Sequence, residues 1–132
     1  METVNKIYTV FTSHKITPHW AHKFLKKHFY HCYVFKQENS DTLIIDMTTT
    51  DLEVFTIKDV SAETYAYYIK EKPNTVVLKQ EYFLDLNNKA INFFNMLPTC
   101  VSITKLALSI SSKAQTPFQL YKVLLKKGAK QI

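Results

Sequence analysis

Phe29-Tyr30-His31-Cys32-Tyr33-Val34-Phe35-Lys36-Gln37, then Glu38-Asn39-Ser40-Asp41, then Thr42-Leu43-Ile44-Ile45-Asp46-Met47: two β-branched and aromatic runs joined by four polar residues read as an antiparallel hairpin. With the turn centred on residues 38–41, residue 31 falls near residue 48 and residue 33 near residue 46. His31 and Asp46 then become diagonal neighbours on one sheet face, within side-chain reach. Each is a polar residue in an otherwise apolar strand and needs a partner. After Leu43-Ile44-Ile45 a fourth apolar residue is the cheaper choice, so Asp46 stands out. A satisfied sheet histidine beside an unrelated aspartate is the plain reading of the pair. A carboxylate that fixes an imidazole tautomer and supports its charge is the chemical one.

Working outward, Lys6–Thr12 alternates and reads as a strand, and Leu52–Ile57 extends the hairpin into a meander. Thr17-Pro18 caps a short amphipathic helix running to about His28, with Trp20, Phe24 and Leu25 inward. Ser61-Ala62-Glu63-Thr64 opens a helix that turns Tyr65, Tyr68 and Ile69 inward and ends by Lys72-Pro73-Asn74. Thr75–Lys79 returns to strand, and Phe93, Phe94 and Leu97 suit a short helix ahead of Pro98. Thr116-Pro117-Phe118-Gln119 is a capping box with proline at the first helical position, opening a helix to about Lys126. The pattern predicts one α+β domain over residues 1–132, a small antiparallel sheet with helices at its ends and on one face.

Leu97-Pro98-Thr99-Cys100-Val101-Ser102-Ile103-Thr104-Lys105-Leu106-Ala107-Leu108 reads as a buried helix that Pro98 separates from what precedes it and Thr99 caps, running to about Ile110 with Lys105 outward. Cys100 falls at about the first helical position. Unpaired amides and the positive end of the helix dipole favour a thiolate there. An imidazole takes the proton from such a thiol, so His31, Asp46 and Cys100 form a base, orienter and nucleophile in that chain order. Cys100 as a small buried hydrophobe is the alternative. Thr48 is a second candidate orienter.

The segments Phe29–Phe35, Thr42–Asp46 and Thr99–Lys105 resemble the circularly permuted NlpC/P60-like (papain-like) thiol hydrolases found in bacteriophage genomes. Ser109-Ile110 and Thr116-Pro117-Phe118-Gln119-Leu120-Tyr121 look like the C-terminal segment of such phage chains, although Ser109 stands where a helix C-cap favours Gly. The resemblance covers roughly residues 29–125. It implies a permuted papain-like fold, with Cys100 as nucleophile, His31 as base and Asp46 as orienter. It further implies hydrolysis of a peptide or cell-wall amide bond, or, alternatively, a virion structural or assembly protein that uses the fold for binding only.

The remaining signals narrow the partners. The only glycine is Gly128, which excludes a P-loop or a dinucleotide fingerprint, and no cofactor is expected. All 17 basic residues are Lys and the net charge is +6. Without Arg, and without a helix-turn-helix or RNP signature, the clusters at Lys23, Lys26 and Lys27 and at Lys122, Lys126, Lys127 and Lys130 read as solvated faces, so no specific nucleic-acid partner is expected. His14, His19, His22, His28 and His31 straddle a loop, a helix and a strand, which is poor spacing for a zinc site, and no metal is expected. Cys32 alternates with His31 and reads as core on the opposite face, which disfavours a Cys32–Cys100 disulfide if Cys100 faces His31. No apolar run reaches the ~18–20 residues of a membrane span, and no signal peptide is read. The chain is expected in a reducing interior, the host cytoplasm or a virion.

Overall fold

The computed structural model describes residues 5–13, 25–47, 51–82, 99–108, 110 and 112–132. It is an α+β structure built on a six-stranded antiparallel sheet. In chain order the elements are β1 (Asn5–Thr12), β2 (His31–Glu38), β3 (Asp41–Met47), β4 (Leu52–Ile57), α1 (Ala62–Lys70), β5 (Thr75–Tyr82), α2 (Cys100–Ala107), α3 (Pro117–Lys126) and β6 (Lys130–Gln131). The strands lie side by side as β4-β3-β2-β1-β5-β6.

The hairpin is tighter than the polar run suggests. Glu38 pairs with Asp41, leaving only Asn39-Ser40 as the turn, and Asn39 takes the left-handed backbone (φ 56°) that this residue type tolerates. The Gln37 side chain holds the turn in place. Its amide nitrogen donates to the carbonyls of Asn39 (2.7 Å) and Asp41 (3.0 Å), and its oxygen accepts from the Ala62 N–H at the start of α1 (2.6 Å). Val34 stands opposite Ile45, which is the register expected for the hairpin. That ladder ends at this pair, so His31, Cys32 and Tyr33 extend past the paired part of β3.

Helices cover both faces of the sheet rather than one. Tyr8, Val10, Phe35, Ile44 and Val77 pack with Ala62, Ala66 and Ile69 of α1. Ile7, Phe11, Cys32, Val34 and Leu78 alternate with them and pack with Val101 of α2 and Leu120 and Leu124 of α3. The correction has a simple cause: β1, β2 and β5 carry apolar residues at consecutive positions, so both faces have to be covered. Tyr68, expected inward, is 60 % exposed because α1 turns its small residues Ala62 and Ala66 to the sheet instead. The strand expected over Thr75–Lys79 runs on to Tyr82, and the helix of Cys100 stops at Ala107. The helix expected from Pro18 to about His28 lies largely, and that of Phe93, Phe94 and Leu97 wholly, outside the described residues.

The Thr116 hydroxyl accepts from the Gln119 N–H (3.3 Å) while the Gln119 side chain accepts from the Thr116 N–H (3.3 Å), a complete capping box on α3. Thr116→Ala removes half of it and is expected to lower stability by about 1 kcal/mol in urea unfolding. An unchanged midpoint refutes this assignment. Gly128, at φ 99°, lets the chain leave α3 and turn back, so that the basic tail supplies β6 against β5.

Candidate active site

Cys100 is placed by its neighbours in sequence. The Thr99 hydroxyl accepts from the Ser102 N–H (3.1 Å), and the Ser102 hydroxyl accepts from the Thr99 N–H (2.8 Å). This reciprocal cap makes Cys100 the first residue of α2, where the helix dipole favours a thiolate. Lys105, one turn on, donates to the carbonyls of Ser112 (2.9 Å) and Ala114 (2.8 Å) and anchors the chain that leaves the helix. α2 lies against β2 and β3, which carry His31 and Asp46.

His31 opens β2 and is buried, its side chain 4 % exposed against 22 % for Asp46. Its Nε2 meets the Asp46 carboxylate at 2.6 Å. The proton therefore sits on Nε2, and the other ring nitrogen, Nδ1, is left to act on something else. Nδ1 is buried and makes no hydrogen bond. A buried polar atom without a partner is costly and rare. Tyr33 stacks along the imidazole, ring centres 6.1 Å apart. Burial, first of all, raises the Tyr33 pKa, with Tyr65 and Asp46 adding to it, so Tyr33 is a neutral wall of the site.

The electrostatics couple the three groups. Burial by itself disfavours a charged His31. The hydrogen bond to Asp46 and the interaction with the Cys100 sulfur outweigh it and raise the imidazole pKa to about 9. The Cys100 thiol moves the other way, to about 5: a hydrogen bond from Cys32 and the interaction with His31 overcome the effect of burial, and the Cys32 backbone amide adds to them. Near neutral pH the site holds a thiolate beside an imidazolium that is backed by a carboxylate.

No family model, curated protein or solved structure matches the chain. What the site does must follow from its own geometry. The structure brings together all three residues singled out by the sequence, Cys100, His31 and Asp46. Thr48, the other candidate orienter, lies outside the described residues, as do His14, His19 and His22. Among the described residues no three His, Cys, Asp or Glu side chains converge to hold a metal ion. No helix among them is long and apolar enough to cross a membrane.

Cys32 lies in the core and also next to the site. It is core, as expected, with no exposed surface, but it also interacts with the Cys100 sulfur. Strand alternation separates His31 from Cys32. The β2–β3 ladder ends short of both, although β1 still pairs with them, and both interact with the one Cys100 thiol. The signal that finds Cys32 is Thr104, one helical turn after Cys100, whose hydroxyl lies 3.6 Å from the Cys32 sulfur. A cleft of about 780 Å³ lined by Lys6, Lys79, Lys127 and Lys130 lies at the β5–β6 side of the sheet and contains none of the three site residues.

The ion pair carries a pH signature. A His31 pKa raised to about 9 adds stability that is complete below its unfolded value of ~6.5 and fades as pH rises through 9. A Cys100 pKa lowered to about 5 adds stability that is complete above its unfolded value of ~8.5 and fades as pH falls through 5. Between pH ~6.5 and ~8.5 one contribution declines while the other grows, and their sum is flat. Between pH 5 and ~6.5 the unfolded pair holds one proton more than the native pair, so stability rises by about 2 kcal/mol. Urea unfolding of the native chain and of Cys100→Ala at pH 5 and pH 7 is expected to differ by that increment. Equal increments in the two proteins rule out the ion pair.

Proposed function

We propose that the protein is a thiol hydrolase acting on amide bonds, an amidase or peptidase, in a permuted papain-like (NlpC/P60-like) arrangement of the bacteriophage type. The observation that carries the reading is the state of His31: Nε2 is committed to Asp46, Nδ1 is buried with no hydrogen-bond partner, and the ring interacts electrostatically with the Cys100 thiol at the start of α2. A histidine kept only for packing does not need a carboxylate on one nitrogen and an electrostatically coupled cysteine.

The chemistry follows from these positions. The Cys100 thiolate attacks the substrate carbonyl and forms the tetrahedral oxyanion, to which the Cys100 backbone N–H supplies a hydrogen bond. His31, protonated on both nitrogens, gives its Nδ1 proton to the departing amine as the C–N bond breaks, leaving a thioester on Cys100. Neutral His31 then takes a proton from water, the resulting hydroxide attacks the thioester, and Cys100 leaves as the thiolate. Asp46 holds the ring in one orientation and supports its charge throughout.

The substrates to test are peptide and cell-wall amides, and the first readout is covalent labelling. A peptide bearing a thiol-reactive electrophile at its C-terminus is expected to label Cys100, with labelling lost in Cys100→Ala and slowed in His31→Ala. Cleavage of an unmodified peptide or cell-wall fragment completes the test. Labelling that ignores His31, together with no cleavage of any amide, overturns the hydrolase reading and leaves the binding-only virion protein.

A further inference from the structure

Cys32 makes and breaks no bond in the hydrolysis just described, yet it belongs to the core cluster against which the nucleophile packs. It is the second residue of β2, in the core cluster beneath α2 against which Cys100 also packs. Thr104 is four residues after Cys100, on the same side of α2, and its hydroxyl touches the Cys32 sulfur at 3.6 Å. The Cys32 sulfur therefore lies under the first turns of the helix that Cys100 opens. Both thiols are reduced in the structure. Their exposure is unequal: Cys100 is partly open to solvent, whereas Cys32 has no exposed surface. A small oxidant meets Cys100 first and does not reach Cys32 directly.

We propose that Cys32 is the resolving thiol of Cys100: a hydroperoxide oxidises Cys100 to a sulfenic acid, and Cys32 captures it as an intrachain disulfide that shuts the site reversibly. In the first step the Cys100 sulfur attacks the peroxide and the O–O bond breaks. The sulfur gives up two electrons, keeps one oxygen, and the other oxygen leaves as an alcohol or water after taking a proton. In the second step the Cys32 sulfur attacks the sulfenic sulfur, the S–O bond breaks, and the oxygen leaves as water with the proton that Cys32 gives up. Two thiols and one hydroperoxide thus yield one disulfide, one alcohol or water, and one further water.

The electrostatics suit this division of roles. Cys100 is held as a thiolate, the form that reacts with peroxide, while burial first and then the neighbouring Cys100 push the Cys32 pKa up and keep it protonated. Cys32 therefore stays inert until an oxidised partner is presented to it. Its benefit to the protein is protection, because a sulfenic acid with no resolving thiol proceeds to sulfinic acid, which ordinary thiols do not reduce. The regulatory consequence rests on the hydrolase reading; the pairing itself does not.

The test is hydrogen peroxide added to the full chain at pH 7, followed by alkylation without reductant, intact mass and peptide mapping. The native protein is expected to lose two hydrogens, to show a Cys32–Cys100 linked peptide and to lose Cys100 alkylation in step, with full recovery in dithiothreitol. In Cys32→Ala the Cys100 sulfur is expected to gain oxygen instead: a sulfenic acid trapped by dimedone, then a sulfinic acid that dithiothreitol does not restore. A native chain that gains two oxygens on Cys100 without a disulfide, or that links only to another chain, overturns the proposal. If Cys32→Ala fails to fold, the native mass result decides alone. A disulfide in a protein that fails the labelling and cleavage tests upholds the pairing and removes only the hydrolase. A working hydrolase that forms no disulfide overturns the pairing alone.

Discussion

Replacing His31 with alanine is expected to raise the midpoint of Cys100 alkylation above about 5, part of the way toward the ordinary thiol value of ~8.5. The direction follows from what remains after the substitution. Cys32 still offers its thiol, but S–H is a weak donor, whereas a protonated imidazole makes a charge-assisted contact of about twice the strength of a neutral one. Burial, which raises a thiol pKa, is then opposed by the Cys32 thiol and the Cys32 backbone amide alone, so the midpoint rises without His31. At pH 6 the thiolate fraction falls by at most roughly 300-fold, the value for a pKa change all the way from 5 to 8.5. A more basic thiolate is also more nucleophilic, with a Brønsted slope of ~0.4–0.5, so the alkylation rate at pH 6 falls by at most about 10-fold. The midpoint, rather than the rate at one pH, is the decisive readout. The native background serves for this experiment, because Cys32 is fully buried and peptide mapping assigns the label. An inflection that stays near pH 5 in His31→Ala removes His31 from the site and returns Cys100 to the status of a helix-capped thiol.

Much of this site is legible in the residues because the hairpin has few alternative registers. Two apolar strands joined by a short polar turn have to pair with residue numbers summing to about 79, as in Val34 opposite Ile45, and that relation puts His31 diagonal to Asp46. The start of α2 is equally local: Thr99 and Ser102 settle the cap between them, and Cys100 has only one place to go. What escapes a sequence reading is set by tertiary packing. The tail Lys126–Lys130 looks like a solvated charged face, yet Gly128 reverses the chain and Lys130–Gln131 finds the open edge of β5. Alternation along β2 separates His31 from Cys32, yet both interact with the one Cys100 sulfur. β4, read correctly as a strand, gives no hint that it is the sheet edge with Leu52, Val54 and Phe55 largely exposed, because exposure depends on what packs above it.

Asp46 separates orientation from charge, and its two substitutions are expected to part company. Asp46→Asn keeps an oxygen that accepts from His31 Nε2, so the ring stays aimed and the fold keeps its contact. Asp46→Ala leaves Nε2 buried with no acceptor. For a hydrogen bond to a charged group that loss amounts to about 1.5–3 kcal/mol, read as a lower urea midpoint. Both substitutions remove the negative charge that helps hold the imidazole pKa at about 9, and the ring proton, followed by NMR, is expected to titrate lower in each. Catalysis then discriminates between them. If Asp46 acts chiefly by aiming the ring, Asn retains most of the amide cleavage and Ala loses about 10²–10⁴-fold, the range a positioned acid–base group supplies. We expect that ordering, because the short 2.6 Å contact ties Nε2 down and leaves Nδ1 as the ring nitrogen without a hydrogen-bond partner. Equal losses in Asn and Ala assign the effect to charge instead. Equal and negligible losses in both, with an unmoved ring titration, remove Asp46 from the site and reduce the triad to a cysteine–histidine pair.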